Sequence, residues 1–338
     1  MNIQQHVSLQ AYNTLAVPAQ ARYFVAVHSE SELLEAIHFS EEKSLPRLIL
    51  GGGSNIVLSS DFDGLVIHLG MKGIASESSG SGWVTVNVSA GENWDELVQY
   101  SLDRGWYGLE NLSAIPGNVG AAPIQNIGAY GVEVSTVLSS VRGLDIATMQ
   151  YRHLSKRECE LAYRDSIFKQ GLKDRFVITG VELQLSAEAA PVLSYPALRE
   201  ALGDEEPTPQ RVADTVRRVR AQKLPMPSTV PNAGSFFKNP VVTRQTFEAL
   251  QRAHPDMPAW ETDAGHKLAA GWLLEQAGWR GFDGEGDLAG LGTFQHQALV
   301  MINPGRRLGS AILQLAERIQ ASVQDRFGVA LEIEPRVY

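Results

Sequence analysis

RLILGGGSNIVLSS, residues 47–60, decides which folds this chain can adopt. Two short apolar runs, RLIL and IVLSS, flank a glycine turn at Gly51, Gly52, Gly53, Ser54 and Asn55. A Rossmann dinucleotide unit needs its glycines between a strand and a helix. Here the run after Asn55 is strand-like and ends within about six residues, too short for a helix. Moving toward the N-terminus, YFVAV at 23–27 reads as a strand, and Ser29 with Glu32 forms a capping-box pattern ahead of Leu33, Leu34 and Ile37, predicting a helix to Lys43. In the other direction LVIHL follows the Asp63-Gly64 turn as a further strand, so the order is β-α-β-β-β and a Rossmann unit is disfavoured. No Lys-Ser or Lys-Thr follows the glycines, which excludes a P-loop. The turn is therefore either a tight hairpin or a nest of main-chain amides that takes a phosphate without a helix dipole.

A second glycine-rich stretch, GLENLSAIPGNVGAAPIQNIGAYG, spans residues 108–131 with Glu110 as its single charge. Glycines there and the small Ala121, Ala122 and Ala129 suit main chain that approaches a large ligand closely, or an irregular buried connection. Before it, WVTVNVS at 83–89 alternates as a half-buried strand, and Asn93 with Glu96 caps a helix carrying Trp94, Leu97 and Val98 that Gly105 ends. After it come strand-like runs VLSSVRGLDI, MQYRHL and RFVITGVELQLS, with a further capping-box pattern at Ser155 and Glu158. Residues 186–209 read as a loop with one helical turn, and 209–223 as a helix. Proline-rich PMPSTVPNAGSFFKNP then marks a boundary. Helices near 243–253 and 264–277, a strand TFQHQALVMIN, and a helix at 308–326 with Ile312, Leu315, Ile319 and Val323 on one face complete the chain.

Composition narrows the function. The chain has 338 residues with 44% hydrophobic and 20% charged side chains, an ordinary globular balance that predicts two or three domains. Its net charge of −9 argues against non-specific nucleic-acid binding. The N-terminus lacks the pattern of an export signal and no apolar run is long enough for a membrane span, so a cytoplasmic, soluble protein without a membrane partner is expected. Cys159 is the only cysteine and reads as a structural thiol. The eight histidines form no i,i+3 or i,i+4 pair, so no metal site is expected, and no G-x-S-x-G elbow supports a serine hydrolase. One basic cluster, Arg211, Arg217, Arg218, Arg220 and Lys223, followed by Lys238, reads as a solvated helix face or a counter-charge for a small anion. The remaining candidates for chemistry are YRDS at 163–166, NAGS at 232–235, and Glu332 or Glu334.

Six segments in order carry a resemblance: YNTL near Asn13, LGGGSN at 50–55, IPGNVGAAPIQNIGAYG at 115–131, YRDSIFK at 163–169, NAGSFFKNP at 232–240, and a closing E-x-R. Together the whole chain resembles the UDP-N-acetylenolpyruvoylglucosamine reductase (MurB) family, in the longer of its two types, which has a tyrosine loop. The resemblance implies an α+β fold: a vanillyl-alcohol-oxidase/PCMH-type FAD-binding arrangement of two subdomains, 1–70 and 71–225, and a third α+β substrate-binding domain, 226–329, with 330–338 returning to the first. It implies non-covalent FAD, NADPH as reducing co-substrate, and reduction of UDP-N-acetylglucosamine enolpyruvate to UDP-N-acetylmuramate in peptidoglycan synthesis, both ligands sharing one pocket on a monomer. By the same resemblance Arg164 stabilises the substrate carboxylate, Ser235 donates the proton and Glu334 is the remaining catalytic acid. FAD contacts are carried onto Gly51, Gly52, Gly53, Ser54, Asn55, Ile115, Pro116, Gly117, Gly120, Ala121, Gln125, Asn126, Gly128, Ala129, Tyr130, Gly131 and Arg336. Tyr195, Lys223 and Asn239 are carried over as contacts of the UDP moiety. Pro335 departs from the family's E-V-R, which leaves Glu332 as an alternative to Glu334. The competing readings are another FAD-dependent oxidoreductase of this fold and a catalytically silent FAD or nucleotide-sugar binding protein; NAGSF, the tyrosine loop and E-x-R disfavour the first, and Arg164, Ser235 and Glu334 together disfavour the second.

Overall fold

A computed structural model of the chain describes residues 1–78, 80, 82–204 and 206–338. These divide into two compact units, Met1–His6, Arg22–Gly52 and Asp63–Arg220 in the first, and Val7–Ala21, Gly53–Phe62 and Ala221–Tyr338 in the second.

The first unit holds two sheets. One has the strand order Gln4–Ser8, Gln20–Val27, Phe62–Leu69, Arg47–Leu50. Helix α1, Glu30–Glu42, begins where the capping pattern places it: Ser29 Oγ accepts from Glu32 N at 3.2 Å, while Glu32 Oε2 reaches one residue further back, to His28 N at 2.6 Å. Its Leu33, Ala36 and Ile37 pack with Val25, Val27, Leu65 and Ile67. Each fully buried aliphatic side chain of this kind contributes roughly 1.5–3 kcal/mol. The second sheet is antiparallel throughout, in the order Gln150–Ser155, Leu138–Asp145, Phe176–Ser186, Trp83–Ser89, Ile74–Ser78. The expected alternation holds, with Val84, Val86 and Val88 buried against Trp94, Leu97 and Val98 of α2, Trp94–Asp103, whose cap Asn93 accepts from Glu96 N at 3.1 Å. The Ser155–Glu158 pair also forms its reciprocal bonds, yet no helix follows. The chain makes only a turn, and Glu160 takes a left-handed φ of +46° that no helix can continue through. Cys159 beside it is buried, and burial pushes its thiol up to about 12, as an unreactive structural thiol requires. Helices α3, Pro196–Leu202, and α4, Pro209–Lys223, follow; the first is seven residues long, more than the single turn expected.

Asp145 gives this unit a testable anchor. Its side chain is fully buried beneath Arg175, at 2.9 and 3.0 Å, and Arg152, at 2.9 Å, which hold its carboxyl below the usual carboxylate range. Both arginines are about two-fifths exposed, so water screens the group from their side. Asp145→Asn is expected to lower stability by about 2 kcal/mol at pH 7, the discount reflecting that screening. A depressed folded pKa stabilises above the unfolded carboxylate value and is lost as pH falls through the folded one. Urea titrations should therefore show the gap between the two proteins closing in acid; a gap that persists there would assign the loss to packing.

The second unit has three small sheets. Asn232–Ser235, Gln297–Ile302 and Gly292–Phe294 form one; Val241–Val242, Gly265–Leu268 and Ala259–Thr262 form another; Ile56–Val57 pairs in parallel with Arg336–Val337 as the third. Helices α5, Arg244–Ala253, α6, Ala270–Gln276, and α7, Gly309–Phe327, complete it. Ile312, Leu315, Ile319 and Val323 are buried on α7 as their spacing predicts. Two expectations are corrected. The helix expected from 264 starts at Ala270, because 265–268 pair antiparallel with 259–262. TFQHQALVMIN is a hairpin rather than one strand: Phe294 lies opposite Gln297 across Gln295-His296. Its apolar pattern was compatible with either, since a continuous strand and a hairpin share the period of two.

The glycine turn at 51–55 is not a hairpin. Arg47–Leu50 pairs in parallel with Phe62–Leu69, whereas Ile56–Val57 pairs with the C-terminal residues, so the two apolar runs flanking the turn enter different sheets.

Candidate active site

Within the first unit the two glycine-rich stretches are neighbours. A Cβ on Gly52 would lie 3.0 Å from Asn118 Oδ1 and 3.0 Å from Gly117 Cα, and one on Gly51 would make an ordinary contact with Asn118 at 3.5 Å. Residues 117–120 run along the turn after the strand Trp83–Ser89, with Trp94 N donating to Gly117 O, Val119 N to Glu92 O and Gly120 N to Ala90 O. That threading accounts for Gly120, whose Cβ would meet Ala90 Cβ at 2.6 Å. Asn126 is likewise an internal post: buried, it donates to Glu133 Oε2 and Ala162 O and accepts from Ser135 N. Gly120 and Asn126, expected as cofactor contacts, thus spend their side-chain positions on the fold. Pro116 and Ala121 are exposed, while Ile115, Gly117, Gln125, Gly128, Ala129 and Tyr130 are half-buried. Gly131, by contrast, lies exposed at the turn. Gly128–Ala129 and Val132–Glu133 form a two-residue hairpin, with φ of +48° at Tyr130 and +83° at Gly131 as such a tight turn demands.

Arg164 belongs to the same loop cluster. Its Nη2 donates to Gly128 O at 3.1 Å, its carbonyl accepts from Lys169 Nζ at 2.8 Å, and its φ is +54°. Ala114 and Asn126 are also left-handed, at +58° and +46°, and non-glycine residues held there carry strain of about 1–3 kcal/mol each that surrounding bonds must offset. Asp165, the ion-pair partner considered from sequence, directs its carboxylate to Ser166 N and Gln170 Nε2. Tyr195, exposed, meets Tyr130 edge-on at 5.3 Å, and Asn111 fixes the contact by donating to both Tyr130 O and Val192 O at 2.9 Å. Behind them Leu198, Leu202, Val212 and Val216 pack α3 on α4. Burial raises the Tyr130 hydroxyl pKa against the pull of Arg220.

Within the second unit the segments that carry Ser235 and Glu334 pair with one another. Asn232 bonds Gly234 N through Oδ1 and the carbonyls of Pro225 and Val230 through Nδ2; with Gly234 at φ +69° this makes an irregularity in the pairing with Gln297–Ile302. Such a bulge re-aims side chains: Ser235 is exposed while Phe236 and Phe237 are fully buried. Glu334 N donates to Phe236 O, and Phe237 bridges Ile333, so the segment that carries Glu334 pairs antiparallel with the residues that follow Ser235, Glu334 lying opposite Phe236. Glu332 is instead ion-paired to Lys238. Arg336 N donates to Asn55 O, so the chain changes partners across Pro335 and the missing proline N–H costs nothing. Gly53, at φ +60°, is packed beneath Tyr12 and Asn13. Ser54 and Asn55 are half-buried, Lys223 is the exposed last residue of α4, and Asn239 Oδ1 caps α6 by accepting from Ala270 N at 2.9 Å.

Residues 21–150 match the family described as FAD binding domain, and residues 225–338 match that described as UDP-N-acetylenolpyruvoylglucosamine reductase, C-terminal domain. The UDP-N-acetylenolpyruvoylglucosamine reductase of Pseudomonas fluorescens (strain Pf0-1) is 43% identical over 342 aligned residues, spanning 100% of this chain and 99% of its own. The chain belongs to the UDP-N-acetylenolpyruvoylglucosamine reductase family. A reductase of that name from Cupriavidus pinatubonensis is 45% identical over 97% of both chains. The crystal structure of the MurB enzyme from Thermus caldophilus has the same fold, with a TM-score of 0.68 at 24% identity over 100% of this chain and 99% of that one. The family and the FAD-binding fold expected from the six segments are therefore borne out.

The loops of this reductase fold suit a flavin nucleotide. Among the described residues, no acceptor takes the N–H of Gly52 or Gly53, and Gly51 leaves open the space a Cβ would fill. Successive free amides at a glycine turn form a concavity for a diphosphate. Among the described residues no cluster of three or more His, Cys, Asp or Glu could hold a metal. One residue that the sequence had placed on a solvated face, Arg220, points inward on α4; its spacing of four and eight from Val216 and Val212 was the signal.

Proposed function

We infer that this chain is an FAD-containing, NADPH-dependent oxidoreductase that reduces UDP-N-acetylglucosamine enolpyruvate to UDP-N-acetylmuramate for peptidoglycan synthesis. The observation that carries the reading is full-length identity of 43% to a reductase of that name. Bound FAD supplies hydride transfer, from NADPH to the enolpyruvyl group. Gly51, Gly52, Gly53, Ser54, Asn55, Arg336 and the exposed and half-buried main chain of 115–131 would hold it. The division at residues 70 and 225 into two FAD-binding subdomains and a substrate domain accords with the two separate sheets of the first unit.

Hydride added at the terminal enol carbon leaves the carbon bearing the carboxylate with enolate character. The Arg164 guanidinium, permanently charged and planar, stabilises that carboxylate. Ser235 Oγ delivers the proton, a task for a weak acid only when the acceptor is strongly basic. We assign Glu334, whose N–H bonds Phe236 O in the segment after Ser235, as the remaining acid, with Glu332, the ion-pair partner of Lys238, as its alternative. Tyr195, Lys223 and Asn239 hold the UDP moiety. We assign NADPH and the nucleotide one pocket used in turn, with ping-pong kinetics. We assign a cytoplasmic location and a monomer, the latter to be read by sedimentation; among the described residues no helix is long and apolar enough to cross a membrane.

The test is spectroscopic. The purified protein should show flavin absorption, bleach on anaerobic addition of NADPH, and recover on addition of the enolpyruvyl nucleotide. A colourless preparation that takes up no FAD would remove the scheme.

A further inference from the structure

Asn232 is 2% exposed, and both ends of its side-chain amide are engaged. Nδ2 donates to Pro225 O at 2.9 Å and to Val230 O at 2.8 Å, which orients the amide so that Oδ1 accepts from Gly234 N at 2.9 Å. The opposite orientation is closed to it, because an oxygen would then face two carbonyls. The Gly234 bond lies inside the irregularity of the pairing with Gln297–Ile302. Asn232 is opposite Ile302 and Ser235 opposite Val300, so three steps along one strand match two along the other. In an uninterrupted ladder Gly234 would lie opposite Val300, and the side chain of Ser235 would fall on the other side of the sheet. The extra residue therefore decides on which side Ser235 stands, and Gly234, at φ +69°, accommodates it.

The backbone of Asn232 carries that geometry on to the glycine turn. Its N–H donates to Thr14 O at 2.9 Å, and Thr14 N donates to Gly53 O at 3.1 Å. Asn13, another buried asparagine, only clamps its own loop, through Leu9 O, Val17 O and Val17 N. Asn232 differs in that its acceptor bond ends one residue before Ser235. We propose that Asn232 is a positioning residue for the second half-reaction: through the Gly234 amide it holds the bulge that presents Ser235, and through Thr14 it keeps Ser235 in register with the turn assigned to FAD. The proposal rests on Ser235 as the proton donor.

Two readouts test it. Hydrogen exchange of the Gly234 amide, measured on FAD-free and FAD-loaded protein, should quicken roughly 10-fold or more in Asn232→Ala, since the amide loses its acceptor. In stopped flow the FAD-loaded Asn232→Ala variant should bleach with NADPH at the parental rate and reoxidise with the enolpyruvyl nucleotide roughly 10- to 100-fold more slowly, as expected when a reacting group is displaced by about 1 Å. Asn232→Ser, whose hydroxyl still offers the Gly234 amide an acceptor two residues back, should lose less of the rate. Added to Ser235→Ala, Asn232→Ala should slow reoxidation no further, because the oxygen it positions is already gone. A merely structural asparagine would instead slow both half-reactions together, and its loss would add to that of Ser235→Ala. Unchanged exchange at Gly234, parental reoxidation, equal slowing of both half-reactions, or additive losses overturns the proposal. Where Asn232→Ala does not fold, Asn232→Ser carries the same four readings. Parental reoxidation by Ser235→Ala removes the donor reading and this route with it, whereas a slow Ser235→Ala beside a parental Asn232→Ala removes the proposal alone.

Discussion

Ser235→Ala should leave NADPH-driven bleaching of the flavin at the parental rate and slow its reoxidation by the enolpyruvyl nucleotide by roughly 10²- to 10⁴-fold, the range for loss of a positioned proton donor. The asymmetry follows from where the hydroxyl stands. Ser235 ends a bulged strand, exposed, with Phe236 and Phe237 anchored behind it and Phe236 O bonded by Glu334 N. Removing one exposed oxygen alters none of those anchors, so the folded state and the first half-reaction should be intact. Stopped-flow absorbance separates the two halves. Reoxidation at the native rate would sink the proton-donor assignment, and slowing of both halves would assign Ser235 to binding common to both ligands.

The glycine turn should divide into positions that serve the fold and positions that serve the ligand. A Cβ on Gly53 would lie 2.0 Å from Tyr12 O and 2.9 Å from Asn13 Cα at a φ of +60°. Gly53→Ala is therefore expected to destabilise by about 3 kcal/mol or more, since main chain must move. Gly51 has no such conflict, its nearest neighbour being Asn118 Cβ at 3.5 Å. Gly51→Ala should cost about 1 kcal/mol or less while weakening FAD retention, because only the approaching ligand meets the added methyl. Thermal melts with and without FAD, and reconstitution monitored by flavin fluorescence, read both quantities. FAD affinity unchanged in Gly51→Ala would return the turn to a purely structural role. Gly120 and Gly128 cannot make this distinction, because Ala90 and Glu133 already occupy their Cβ space, at 2.6 and 2.9 Å.

Much of the secondary structure was legible in short windows. Ser29 with Glu32, and Asn93 with Glu96, announced α1 and α2, because a cap and the amide it satisfies lie within one turn of chain. WVTVNVS and the stripe of α7 were legible because period-two and period-3.6 burial need only local spacing. The same logic misled at Ser155–Glu158, where the bonds formed but the left-handed Glu160 diverted the chain. The site was legible as a set of segments, and only through resemblance did Ser235 acquire a role; by itself NAGSF reads as a turn.

What the sequence by itself determined, then, is the non-Rossmann context of GGGSN, most of the helices, the caps of α1 and α2, and membership of the family. Tertiary structure decided the rest. It decided that IVLSS leaves its apparent hairpin to pair with residues 336–337, that Pro335 falls where a strand changes partners, that Lys238 engages Glu332, and that Arg220 turns inward. Each depends on partners far apart in the chain, whose pairing is selected by the burial and hydrogen bonds of the completed fold, which no short window of sequence contains.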